Sequence, residues 1–171
     1  MREASGWTSR ADYARFLSLQ HAARAPVEAW LAQHADDPLR PPAQCPLIAR
    51  DLERLNCEIP ADAREFTLPD NDQHEGHVLG AAWVLAGSSL GNRAILKELD
   101  RAGRTEGGED WPHAFLASDT MLAYWKGLRK RIERPADVHE VDAASHAAAA
   151  VFDHFIHCAQ NAPNTTDMLV A

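Results

Sequence analysis

A chain of 171 residues suits one domain with one sizeable core, and nothing in it calls for a second. Its 17 Lys and Arg against 25 Asp and Glu leave a formal net charge of −8, which argues against nucleic acid and anionic membranes as general partners. Cys45, Cys57 and Cys158 form no C-x-x-C pair, Met1-Arg2-Glu3-Ala4-Ser5 does not resemble a secretory signal, and no apolar run reaches the roughly 18 residues of a bilayer span. A reduced, cytoplasmic protein is expected.

Ser9 with Asp12 three residues on reads as a capping box opening the first helix. Tyr13, Phe16, Leu17, Gln20, Val27 and Leu31 then recur at helical spacing, which turns one face to the core and leaves Arg10, Arg15, Arg24 and Glu28 near or outside its edge. Pro26 is expected to kink or divide this helix. A proline-rich connector from Asp36 to Pro42 precedes a second helix marked by Leu47, Ile48, Leu52 and Leu55 and ending near Asn56. Residues Glu58 to Gln73, with Pro60 and Pro69, read mainly as loop.

The third helix, from about Gln73 to Ala102, carries Gly80, Gly87 and Gly91 where each glycine costs on the order of 1 kcal/mol against alanine. At about 100° per residue the three fall within roughly 40° of one another, so the helix has one nearly bare stripe. Such a stripe lets another helix or a planar ligand come close to the backbone. Gly103 fits a C-terminal stop, and the glycine-rich stretch to Trp111-Pro112 continues as loop.

A fourth helix opens near Ser118 or Asp119, with Met121, Leu122, Trp125, Leu128 and Ile132 as its apolar stripe and basic residues at its end; Pro135 stops it. The last helix spans roughly Ala136 to Asn161 and is expected to bury Val138, Val141, Ala148, Phe152, Phe155 and Ala159; the tail from Pro163 is expected to be loose. No useful length of chain alternates apolar and polar residues, so the fold class is all-α, a single-domain multi-helix bundle over residues 1–171.

Tyr13-Ala14-Arg15-Phe16-Leu17 on an early helix, Val84 to Arg93 on a central one, Tyr124-Trp125 on a third, and an Ala-rich final helix with Phe152 and Phe155 together resemble the heme oxygenase family. The resemblance covers nearly the whole chain and is nearest to the short bacterial forms, some of which accompany bacterial phytochromes. It implies that the glycine helix lies over the distal face of heme, with Gly87 and Gly91 matching the family's glycine pair and Gly80, Tyr124, Lys126, Arg129 and Phe152 also against the ligand. Lys126 and Arg129 would meet the propionates, or else form a solvated charge cluster.

The implied reaction is oxidoreductive. Heme, both prosthetic group and substrate, is opened to biliverdin with release of carbon monoxide and iron, using O2 and an external electron donor. A bacterial phytochrome would be a possible biliverdin acceptor. The sequence departs from the family pattern at two positions. Ser88 stands where the best-known enzymes carry a distal carboxylate, and a hydroxyl would then hold the distal water network. The family's proximal histidine precedes the Tyr-x-x-Phe-Leu segment, and Met1 to Asp12 contains no histidine. Either the chain begins inside a longer reading frame, or it belongs to a branch that lost the axial ligand and is a non-catalytic binding or regulatory protein. His21 is the internal candidate for a substitute ligand, against a partly buried structural role.

His139, His146, Asp153 and His157 share a stripe of the last helix, about 160° to 200° from its expected core face, and read as solvated rather than metal-binding. His74, Glu75 and His77 read as a surface helix N-terminus, where a carboxylate suits the dipole. None of the cysteines is placed like the core nucleophile of the thiamine-cleaving family that shares this fold.

Overall fold

The computed structural model describes residues 9–61, 64–68, 74–104 and 110–162. They form six helices and no strand: α1 Arg10–His34, α2 Cys45–Arg54, α3 His74–Arg101, α4 Ala114–Ala117, α5 Asp119–Ile132 and α6 Val138–Gln160. The expected loops at 69–73 and 105–109 and the tail from Pro163 lie outside the described residues. None of the described helices is long and apolar enough to cross a membrane.

The capping box opens α1 as its residues require: the Ser9 hydroxyl accepts from the Asp12 N–H, and the Asp12 carboxylate accepts from the Ser9 N–H. Pro26 does not divide the helix, which continues through it to His34 and buries Val27, Trp30 and Leu31 beyond it. Glu28 caps α2 from a distance, its carboxylate accepting from the N–H groups of Gln44 and Cys45 at 3.0 to 3.2 Å. The chain turns out of α2 through Asn56, at φ 56°, and out of α3 through Gly103, at φ 68°.

Around α3 the other helices form two apolar clusters. One joins Val27, Trp30 and Leu31 of α1 to Val78, Leu79, Ala82 and Leu85 of α3, Met121 and Leu128 of α5 and Val151 of α6. The other joins Tyr13 and Leu17 of α1 to Ile48 and Leu52 of α2, Leu99 of α3, and Trp111 and Phe115. Helices α3 and α5 run antiparallel: Arg93 pairs with Asp119 at one end and Glu75 with Arg131, at 2.5 Å, at the other.

Two further features of the helices depart from the sequence reading. Helix α4 was not legible, because its first N–H groups are held by a residue far away in the chain: the buried carboxylate of Asp51 accepts from Ala114 and Phe115 at 3.0 and 2.9 Å. Burial raises the Asp51 pKa, and those two N–H groups oppose the rise.

The second departure is the rotation of α6. Its buried residues are Ala143, Ala147, Val151 and His154, while Val138, Val141 and Phe152, expected in the core, are half or more exposed. The cause lies on α3. Gly76 and Gly80 admit α6 so closely that it meets them through the Ala143 methyl and the backbone of Glu140 and Ala144, while Val138, Val141 and Phe152 are turned outward.

Candidate functional site

The glycine stripe of α3 is not uniform along its length. A Cβ built on Gly80 would stand 2.0 Å from the Ala144 carbonyl oxygen, and one on Gly76 would stand 2.8 Å from the Ala143 Cβ and the Glu140 carbonyl oxygen. These two glycines are explained by helix packing. Gly80 is therefore bare because α6 backbone fills the space its side chain would take. It still lines one wall of an apolar groove of about 380 Å³ with Trp83, Ile132, Val141 and Ala148.

Further along, α6 no longer covers the stripe. At Gly91 a Cβ would meet nothing within 4 Å, and at Gly87 only the Trp125 ring, at 3.8 Å. Leu90 beside them is half exposed, and Ala94 one turn on is exposed. Trp83 and Trp125, with ring centroids 6.5 Å apart, stand between the groove and this open stretch. The result is an exposed stretch of α3 with little side-chain cover over its backbone, bordered by Leu90, Ala94 and Trp125.

One flank of that surface is polar, where α1 meets α3. The Arg24 guanidinium, expected at the edge of its helix, is buried to 1% exposure; it donates to Ser88 Oγ and, from Nε, to Gln20 Oε1 at 3.1 Å, and lies 5.2 Å over the Phe115 ring. Burial strips water from the charged guanidinium and lowers the Arg24 pKa, with Glu28 and then Cys45 opposing. Ser88 in turn donates its hydroxyl hydrogen to the Leu85 carbonyl at 2.7 Å. It therefore faces any water only as an acceptor.

His21 stands one turn before Arg24 on α1, and its Nδ1 is buried without a hydrogen-bond partner. Desolvation lowers its pKa, with Glu28 opposing, which favours the neutral imidazole that can bind a metal. The structure gives no contact between His21 and the Gly87–Gly91 surface.

The remaining expected ligand contacts disperse. Tyr124 turns inward and donates to the Leu39 carbonyl at 2.5 Å. Arg129 is tied to Glu133 at 2.8 Å, and Lys126 is exposed on the same helix. Phe152 is half exposed on the outer face of α6.

His139, His146, Asp153 and His157 are exposed, as their stripe requires, and the described residues contain no group of three or more His, Cys, Asp or Glu able to hold a metal. His77, expected at a surface N-terminus, is buried to 2%, its ring 6.1 Å from that of His146, while Glu75 beside it is exposed and bonded to Arg131. Burial raises the pKa of Cys45 and of Cys158, so neither is an activated thiolate.

His154 went unnoticed in the sequence. It is buried on α6, edge-on to Phe66 at 5.5 Å and 3.7 Å from Cys158 Sγ, and the spacing Ala143, Ala147, Val151, His154 is the signal that could have found it.

No family model matches the chain, and no curated protein or solved structure matches it either.

Proposed function

We propose that the chain is a heme oxygenase-like protein that binds heme against Gly87 and Gly91 of α3. One observation carries this reading: of the glycines in α3, Gly76 and Gly80 are accounted for by contact with α6, whereas among the described residues a Cβ on Gly91 would meet nothing within 4 Å and one on Gly87 only the Trp125 ring. Two glycines in a helix interior cost on the order of 1 kcal/mol each, and no packing among the described residues repays it. A planar ligand lying on the bare backbone does.

Heme, when bound, supplies the iron and the ring carbon at which oxidative cleavage to biliverdin, carbon monoxide and iron takes place. The chain's own residues would act as a floor and a flank. The backbone at Gly87 and Gly91 sets how closely the macrocycle approaches, Leu90 and Trp125 border it with apolar surface, and Ser88, held by Arg24, accepts a hydrogen bond from water at the edge. His21 is the candidate among these residues for an imidazole ligand.

A second reading, a heme-binding protein without turnover, is favoured by Ser88. Its hydroxyl hydrogen is engaged by Leu85, so it offers a water chain an acceptor and no charge, where a carboxylate would offer both. Hemin titration tests the shared premise: a Soret shift in the wild-type chain, weakened at least tenfold in Gly91→Leu, is expected, and no shift would sink both readings. Biliverdin and carbon monoxide formed stoichiometrically with O2 and a reductant separate them. The electron donor and a phytochrome acceptor belong to the first reading only.

A further inference from the structure

We infer that the junction of α1 and α3 beside Ser88 is a binding site for a small anion or the carboxylate end of a ligand, with Arg24 as its cation. Among the described residues no carboxylate forms an ion pair with Arg24, whereas surface arginines such as Arg93, Arg131 and Arg134 are each ion-paired. The nearest acidic side chain along α1, Glu28, is engaged with the N–H groups that open α2.

Among the described residues the Arg24 guanidinium is nevertheless the most deeply buried charge of its sign, with Nη2 on Ser88, Nε on Gln20, and Nη1 buried without an acceptor. One turn away on the same face, His21 Nδ1 is also buried and unpartnered. Two positions one turn apart therefore lack a partner among the described residues. Water satisfies a hydrogen bond, but a buried guanidinium whose nearby carboxylate, Glu28, is engaged with α2 keeps a partly uncompensated charge until an anion reaches it. Because only one edge of the guanidinium is free, the group that fits is small: a carboxylate oxygen or a triatomic anion.

The inference rests on the proposed heme reading only for where the rest of a larger ligand would lie, and it is tested without heme. The intact chain is melted at constant ionic strength in formate and in gluconate, which is too bulky to enter. Saturating formate should raise the wild-type Tm by about 2 °C or more. Arg24→Met, which keeps bulk and removes the charge, should melt at or above wild type in gluconate and show no response to formate. In the wild-type chain the Arg24 side-chain Nε–H resonance should also move on adding formate, a readout that stands if the variant fails to fold. Equal Tm in both salts with an unmoved resonance, or a formate effect that survives in Arg24→Met, would overturn the site.

Discussion

The two ends of one glycine stripe behave oppositely. At Gly76 and Gly80 the missing side chains are replaced by another helix, close enough that even a methyl group collides with backbone; at Gly87 and Gly91 they are replaced by open surface and the edge of Trp125. The same residue type on the same face thus answers two requirements, close packing and access. Only the position of α6 tells them apart.

The largest expected effect tests the packed end. Gly80→Ala should destabilise the fold by about 3 kcal/mol or more, since its Cβ would lie 2.0 Å from the Ala144 carbonyl oxygen and the two helix backbones must separate. Chemical denaturation measures it, and a cost near zero would mean that α3 and α6 pack differently. The open end should respond the other way: Gly91→Ala should stabilise by about 0.5 to 1 kcal/mol, because helix propensity rises and nothing is struck, while hemin affinity falls. Stability and binding moving in opposite directions is the outcome that separates a ligand surface from a packing surface.

Acidification should weaken the packing of α6 against α1. Desolvation lowers the pKa of His154, outweighing the backbone hydrogen bond with Ala23 that opposes it, so the unfolded chain binds the proton more readily than the folded one. Stability is then complete above the unfolded value of about 6.5 and is lost as pH falls through it toward the folded value. The Tm of wild type should drop between pH 7.5 and 5.5 by more than that of His154→Leu. His21 on α1 carries a shift in the same direction, so a His21→Leu variant shows how much of the slope belongs to each histidine.

The smallest effect belongs to the exposed ion network of Glu75 with Arg131 and Arg134. Glu75→Gln should lower Tm by about one degree at low salt and by less at high salt, because exposed pairs are weak and screened.

Much of the fold could be read from residue order. The Ser9 capping box, the α3 boundaries, the Gly103 stop and the outward histidine stripe of α6 depend on residues within one or two turns of each other, where periodicity and capping are strong signals. The face of α6 could not be read in this way. Its bulky apolar residues and its alanines form two separate stripes, and hydrophobicity alone favours the bulky one. Likewise Arg24 looked like an edge residue because the hydroxyl and ring that receive it, Ser88 and Phe115, lie on other helices.

Local sequence determined where the helices start and stop and that the third would carry a bare stripe, because capping, turn chemistry and helical spacing act over a few residues. Tertiary structure alone decided how that stripe is divided, which face of α6 is buried and that an arginine is enclosed beside Ser88. Each of these depends on how near two backbones can approach, and that distance is set jointly by residues far apart in the chain.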